Sequence, residues 1–341
     1  MPRMDKVDAF RDECGENASN ERDSAQSQHT SNQSDNSNKD TSATIDLTPF
    51  LREPKYSLEE VIHPQTTKHQ LDLILAEVQY QDLIYNEWGM GEKHKLDKAL
   101  SINLAGPPGT GKTLTAEAIA HAFKNKIIVV PYQQVESKYV GETPKNIAKA
   151  FEFATEQNAV LFFDEADSFL GRRLENVTQS TDTAVNLTRS VMIVQLSSFE
   201  GIVIFATNLV HNYDPAFVSR IRWKVKFDLP NKEAREKIWK AQIPSKLMPV
   251  LDKTVNFENL ASQFDEISGR DIKNALFQAV VAAAIEDKPK EQKFITQSHL
   301  VQAMNEVIEA NKAASKQKIT LNPVEDNVEL PPEPPNITFE H

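Results

Sequence analysis

Short apolar segments alternate with amphipathic helical patterns through the middle of the chain. The apolar segments are SINLA (101–105), KIIVVP (126–131), AVLFFDE (159–165), GIVIFATN (201–208) and VKFDL (225–229). Their hydrophobicity is mostly continuous rather than alternating, which predicts strands buried on both faces. Between two of them, residues 143–157 place Ile147, Phe151 and Ala154 on one helical stripe. The pattern predicts an α/β fold with a doubly wound parallel sheet.

The strand pattern stops after Pro230 and helical spacing replaces it. Ile272, Leu276, Ala279, Val280 and Ala283 follow one another at intervals of four, three, one and three residues. This spacing indicates a helix with one apolar face. We therefore predict a small all-helical domain after the sheet.

Both ends of the chain have the composition of disordered segments. The first has too few apolar side chains to offset the entropy of ordering, and the last is acidic and rich in proline. The predicted organisation is a polar arm (1–45), a helical lead-in (46–98), an α/β domain (99–230), a helical domain (231–314) and a disordered acidic tail (315–341).

Charge and cysteine content narrow the classes of function. The 38 basic and 49 acidic side chains give a net charge of −11, which argues against nucleic acid as the main partner because phosphate binding needs clustered Lys and Arg. Cys14 is the only cysteine, which excludes an internal disulfide and favours a reducing compartment. No apolar run is long enough for a membrane span or a secretion signal. We expect a soluble, cytoplasmic protein.

The segment GPPGTGKT carries the first chemistry. Its members are Gly106, Pro107, Pro108, Gly109, Thr110, Gly111, Lys112 and Thr113. A strand precedes it and a helical pattern follows, the context in which G-x-x-x-x-G-K-[ST] binds phosphates and which disfavours a plain Gly/Pro turn. Backbone amides wrap the phosphates, Lys112 adds charge beside the β- and γ-oxygens, and Thr113 ligates Mg²⁺. The segment predicts ATP and Mg²⁺ as cofactors.

Paired acids follow the third predicted strand. Asp164 and Glu165 stand at its carboxyl end, where ligands of open α/β sheets bind. Asp164 is expected in the Mg²⁺ shell, and Glu165 is expected to polarise the attacking water as a general base. Four apolar residues that lead directly into the acids favour this role over that of solvated strand caps.

Six segments together resemble the AAA clade of the AAA+ ATPases, over about residues 56–307. They are GPPGTGKT, FFDEAD, KYVGET (138–143), FATN (205–208), DPAFVSRIRW (214–223) and SGRDI (268–272). The resemblance implies a five-stranded nucleotide-binding domain, a helical lid domain and a hexameric ring of identical subunits. It also implies that each ATP site lies between two subunits.

The same resemblance implies roles for residues near the γ-phosphate. Asn208 occupies the sensor-1 position, where its amide orients the attacking water. Arg220 and Arg222 stand at the arginine-finger position, which reaches a neighbour's γ-phosphate. The two arginines are two positions apart with Ile221 between them, unlike the family's common R-P-G-R, and we favour Arg220. Surface charge beside an edge strand is the alternative for both.

Two further positions follow from the resemblance. Arg270 stands at the sensor-2 position, where many members of this clade have Ala. It is expected either to reach the γ-phosphate in its own subunit or to be a solvated residue of the first helical turn. The segment 55–62 resembles the approach to the adenine pocket, so Val61 and Ile62 are expected to contact the base. Trp88 is interpreted as a core residue.

The segment Tyr139-Val140-Gly141 matches the pore loop of relatives that thread polypeptides. An exposed aromatic side chain beside Gly grips an extended chain through apolar contact that does not depend on sequence; a buried tyrosine under a turn is the alternative. The leading hypothesis is an ATP-hydrolysing ring that remodels or threads protein substrates. A second hypothesis is a regulatory or assembly ATPase that switches a partner protein, as an activase does, without threading. A nucleic-acid motor is disfavoured by the acidic balance.

Overall fold

The computed structural model describes residues 45–93, 99–131, 135, 142–167, 180–208 and 213–321. The strands are β1 (Leu51–Arg52), β2 (Leu100–Ala105), β3 (Ile127–Pro131), β4 (Val160–Asp164), β5 (Ile202–Thr207) and β6 (Trp223–Lys226). All five predicted strands form, and β6 begins earlier than the pattern indicated. The predicted arm (1–45), apart from Ile45, and most of the tail (315–341) lie outside the described residues.

The strands form one sheet in the order β1-β3-β4-β5-β2-β6. The neighbours from β3 to β6 are parallel, which confirms the predicted doubly wound α/β fold. The five-stranded prediction was wrong by one strand, because β1 pairs antiparallel with Ile127–Ile128 at the edge of the sheet. A strand of two residues has no periodicity of its own, so only its contact with β3 defines it.

Ten α-helices occur in the described part of the chain. They are α1 (Gln65–Gln79), α2 (Met90–Lys93), α3 (Lys112–Ala122), α4 (Glu142–Glu156), α5 (Ser180–Ser198), α6 (Pro215–Val218), α7 (Lys232–Ala241), α8 (Phe257–Gln263), α9 (Gly269–Ile285) and α10 (Gln297–Leu321). A π-helical turn spans Leu83–Glu87, and 3₁₀ turns span Thr48–Phe50, Met248–Val250 and Lys290–Gln292. Helix α10 continues past the boundary predicted at residue 314. None of these helices is long and apolar enough to cross a membrane.

Two apolar cores cover the faces of the sheet. Phe162 and Phe163 are neighbours in β4 and are both fully buried, but they belong to different cores, because successive side chains of a strand point to opposite faces. Phe163 stacks on Phe205 with ring centroids 5.5 Å apart, and Phe217 meets Phe205 edge-on at 5.1 Å. The aromatic contacts fix α6, which contains Phe217, against β5.

The helices after β6 form the third core. Trp239 on α7 is fully buried and belongs to one cluster with Leu260, Ile272 and Leu300. The sequence had therefore correctly predicted that helices follow the sheet and that Ile272 and its neighbours form their buried face. Trp88 was wrongly interpreted as a core residue, because it follows the π-helical turn and is 70% exposed.

We predict opposite effects for two tryptophan truncations. Trp239→Ala removes a fully buried side chain, so it should lower the free energy of unfolding by about 3–5 kcal/mol. Trp88→Ala removes an exposed one and should change it by less than about 0.5 kcal/mol. Urea denaturation followed by circular dichroism measures both. Equal losses of unfolding free energy in the two variants would contradict the assignment of Trp239 to the third core.

Candidate nucleotide-binding site

The glycine-rich loop joins the carboxyl end of β2 to the start of α3. Gly106 has φ +156, and a Cβ there would lie 2.0 Å from the carbonyl oxygen of Phe227, just after β6. Only a residue without a side chain fits this approach. The loop therefore lies directly against the chain that leaves the edge of the sheet.

Lys112 is turned into the loop. Its Nζ donates hydrogen bonds to the carbonyls of Gly106 at 2.7 Å and Pro107 at 2.8 Å, and to Oδ1 of Asn208 at 2.9 Å. Burial lowers the pKa of the ammonium to about 8, although the nearby carboxylates of Asp164 and Asp167 oppose this shift. The structure thus brings together the loop lysine and the asparagine at the end of β5.

Thr113 and Asp164 form the second contact across the site. The Thr113 hydroxyl donates to Oδ2 of Asp164 at 3.2 Å. P-loop proteins use a hydroxyl oxygen and a carboxylate oxygen as Mg²⁺ ligands, and phosphates and water supply the other ligands. The residues present therefore fit this ion.

Glu165 has an unusual backbone. Its φ is +54, in the left-handed region that residues other than Gly seldom adopt. Its N–H donates to Oδ1 of Asp164 at 3.0 Å, and its side chain is exposed. Local strain of this kind clusters at functional sites. The conformation leaves the carboxylate accessible at the end of β4.

Asp167 belongs to the same cluster, although we gave it no role from the sequence. Its Oδ2 accepts the backbone N–H of Asn208 at 3.2 Å, and its charge raises the pKa of Lys112 against the effect of burial. The signal was a third acid, three positions after Asp164 in FFDEAD. Asp167 holds the end of β5 next to the phosphate loop.

The helical domain contacts the loop through the start of α9. The N–H of Arg270 donates to the Gly109 carbonyl at 3.3 Å. Ser268 and Asp271 form a capping box there, which fixes the first turn of the helix. The exposed Arg270 lies near enough for its charge to lower the pKa of Lys112. The predicted sensor-2 residue therefore lies beside the loop.

The lead-in segment covers the junction of loop and helix. Cγ1 of Val61 would lie 3.9 Å from a Cβ on Gly111, and Ile62 next to it is half-buried. Thr115 gives its only proton to the Gly111 carbonyl at 2.9 Å, so it accepts from Nε2 of His63 at 3.3 Å. Burial lowers the pKa of His63 to about 4. His63, which we did not single out from the sequence, anchors the segment expected to contact the base.

The two candidate finger arginines have different surroundings. Arg220 is exposed. Its Nε donates a hydrogen bond to Oγ of Ser197 at 3.0 Å, and its Nη1 donates to the Ala216 carbonyl at 2.7 Å. Arg222 is part-buried, and its Nη1 donates to the Glu77 carboxylate and the Tyr85 hydroxyl. Because the charge of Arg222 is already paired with a carboxylate and that of Arg220 has only uncharged partners, the geometry favours Arg220 over Arg222 as the finger.

The proposed pore-loop residues Tyr139, Val140 and Gly141 lie outside the described residues. Their role stays a prediction from the sequence.

Residues 102–229 match the model of the ATPase family associated with various cellular activities (AAA). They contain the phosphate loop, the acids after β4, Asn208 and both arginines. The chain therefore carries an ATPase domain of the AAA family, and the resemblance stated from its motifs is confirmed. Proteins of this family bind nucleotide.

Three relatives illustrate the similarity. The chain is 33% identical over 227 residues to the 26S proteasome regulatory subunit 7 homolog of Saccharomyces cerevisiae, covering 64% of this chain and 47% of that protein. It is 29% identical over 254 residues to a proteasome-activating nucleotidase of Methanocella arvoryzae, covering 71% and 60%. It is 35% identical over 185 residues to the 26S proteasome regulatory subunit 8 homolog of Schizosaccharomyces pombe, covering 52% and 45%. The chain thus spans about half the length of these relatives.

The contact between the loop and α9 gives a matched pair of glycine substitutions. In Gly109→Ala the new Cβ would lie 2.5 Å from Oγ of Ser268, at φ +78. We expect a loss of at least about 1–2 kcal/mol of unfolding free energy from the left-handed backbone alone. In Gly269→Ala the Cβ would meet the Gly109 carbonyl oxygen at 3.4 Å, an ordinary contact, so stability should hold or rise. Thermal unfolding of both variants checks this, and an unperturbed Gly109→Ala protein would contradict the close contact.

Proposed function

We propose that the protein is a Mg²⁺-dependent ATPase that works as a ring, in which each ATP site is completed by a neighbouring subunit, and that it remodels or threads protein substrates. The observation that carries the ATPase assignment is the convergence of Lys112, Asn208 and the Thr113–Asp164 pair at the carboxyl edge of the sheet. The Lys112 ammonium lies within hydrogen-bond distance of the Asn208 amide, and the Thr113 hydroxyl lies within hydrogen-bond distance of the Asp164 carboxylate.

Each side chain has a separate task in hydrolysis. Lys112 would exchange its loop carbonyls for phosphate oxygens, and Thr113 with Asp164 would hold Mg²⁺, which would supply positive charge against the phosphates. Glu165 takes the proton of the attacking water, and Asn208 orients that water. Arg270, beside the loop, contacts the γ-phosphate from the helical domain.

The position of Arg220 supports a site shared between subunits. The Arg220 carbonyl accepts a hydrogen bond from Ser101 at 2.7 Å, near the amino end of β2, whereas Lys112 bonds Gly106 just past its carboxyl end. Five residues of strand separate Ser101 from Gly106 by roughly 16 Å. Arg220 therefore cannot reach the phosphates of its own subunit, and it serves those of a neighbour.

The substrate class rests on two further supports. Relatives of which the match covers about half are named as proteasome regulatory subunits and as proteasome-activating nucleotidases, which favours a polypeptide as the substrate. Tyr139-Val140-Gly141 supplies a sequence suited to gripping an extended chain. With a net charge of −11, a protein partner in the cytoplasm fits better than nucleic acid.

Two variants separate nucleotide binding from turnover. Lys112→Ala should lose ATP binding, and Glu165→Gln should bind ATP while its turnover falls roughly 10²- to 10⁴-fold. Because the pKa of Lys112 is about 8 and a bound phosphate would raise it, ATP binding near pH 8 should take up roughly half a proton. Affinity should then fall as the pH rises above 8. Calorimetry in two buffers of different ionisation enthalpy measures the proton. An ATP affinity of Lys112→Ala equal to that of the wild type would contradict the assignment of the nucleotide site.

The remodelling hypothesis depends on Tyr139. In a Glu165→Gln background with ATP, the protein should hold a fluorescently labelled unfolded polypeptide such as reduced casein, and Tyr139→Ala should abolish this while ATP binding persists. Tyr80→Ala is the control, since Tyr80 is an exposed tyrosine at the end of α1. Fluorescence anisotropy measures the binding. Undiminished capture by Tyr139→Ala would remove the threading role and leave the partner-switching alternative.

A further inference from the structure

The hydroxyl of Ser101 bridges the backbone on both sides of Ile221. Ser101 lies on β2, is 3% exposed, and donates to the Arg220 carbonyl at 2.7 Å. The same oxygen accepts the N–H of Arg222 at 3.0 Å. The ladder between β2 and β6 begins only at Ile102 and Trp223. One side chain thus fixes the three residues before β6, where backbone pairing has not yet started.

The Arg222 side chain is fixed from the other direction by α1. Glu77 on α1 accepts from Nη1 of Arg222 and, through its second oxygen, from Nε1 of Trp223 at 2.5 Å. The Tyr85 hydroxyl also accepts from Arg222 and donates to Glu77 at 2.9 Å. Glu77, Tyr85, Arg222 and Trp223 form the Glu77–Arg222 cluster. All four are half-buried, and each is hydrogen-bonded to another member. The cluster ties β6 to the lead-in helix.

Arg220 is the one residue of this stretch whose side chain faces solvent. Ile221 is 4% exposed and belongs to the buried cluster that includes Phe217. The Arg220 side chain is exposed, and within the described part of the chain its Nη2 has no partner. With its carbonyl held by Ser101 and the next two residues anchored, the backbone position from which the Arg220 side chain extends is fixed.

We propose that Ser101, supported by the Glu77–Arg222 cluster, is a positioning residue that presents Arg220 to the nucleotide of a neighbouring subunit. In this chain the two arginines then have different tasks: one acts on the neighbour, and the other holds the backbone that carries it. The inference rests on the proposed function, because it requires Arg220 to act between subunits. A misplacement of such a group by about 1 Å costs roughly 100-fold in rate.

A mixing experiment isolates this role. Full-length Glu165→Gln subunits bind ATP without turnover and retain Arg220, so they are donors. Arg220→Ala subunits have an intact site of their own but no arginine to offer, so they are acceptors. Each alone should be inactive, and the mixture should hydrolyse ATP when subunits exchange. Because the donor's own site is already inactive, a change made in the donor cannot act through hydrolysis at that site.

Adding Ser101→Ala to the donor should lower the kcat of the mixture roughly 10- to 100-fold with the KM for ATP unchanged. Adding Ser101→Ala to the acceptor instead should leave both unchanged. Ser197→Ala in the donor is the matched control, since it removes a hydroxyl that touches the side chain of Arg220 rather than its backbone. The mixture should keep its full rate with that donor. A general loss of stability would instead reduce both the donor and the acceptor arms.

The outcomes are distinct. An inactive mixture of the two parent variants would overturn the action of Arg220 between subunits, and the role of Ser101 with it. An active parent mixture that is unaffected by Ser101→Ala in the donor would overturn the role of Ser101 alone. Should Ser101→Ala fail to fold, Tyr85→Phe in the donor removes only the hydroxyl that supports Arg222. A reduced kcat at constant KM then supports the proposal, and an unchanged kcat overturns it.

Discussion

The arrangement of the protein depends on β2, the strand that pairs on one side with β5 and on the other with β6. Its carboxyl end leads into the phosphate loop, whose Gly106 lies against the carbonyl of Phe227. Its amino end carries Ser101, which binds the backbone around Ile221. A buried strand is a rigid element. The two ends therefore keep a fixed separation and orientation, whatever the loops around them do.

The electrostatics of the phosphate loop reflect a balance between burial and neighbouring charge. Lys112 is only 7% exposed, and the loss of hydration favours its neutral form. Asp164 and Asp167 oppose that effect, and Arg270 adds to it. The carbonyl oxygens of Gly106 and Pro107 and the side-chain oxygen of Asn208 accept hydrogen bonds from the Lys112 ammonium. These acceptors and the two carboxylates thus stabilise the positive charge that Lys112 would offer to a phosphate.

The sequence was most informative where function follows from local order. The phosphate loop and the acids after β4 were predictable because each motif is contiguous and its strand is continuously apolar. Ser101 and Glu77 were not, because they meet Arg220 and Arg222 across 119 and 145 positions of the chain. Trp88 was misassigned since hydrophobicity alone does not tell which side of a turn faces the core. Strand β1 escaped notice because two residues contain no period.

The separation of the two ends of β2 has a consequence for symmetry. A contact in which Arg220 of one copy meets the phosphate loop of the next joins two different ends of β2. A twofold dimer would have to make this contact twice within one interface, with the two β2 strands antiparallel, whereas a heterologous interface makes it once. Repetition of such a contact closes into a cyclic assembly when the rotation between copies divides a full turn, and otherwise it grows as an open helix. The rotation that relates neighbouring copies, rather than the chemistry of the nucleotide site, then decides how many copies the assembly contains.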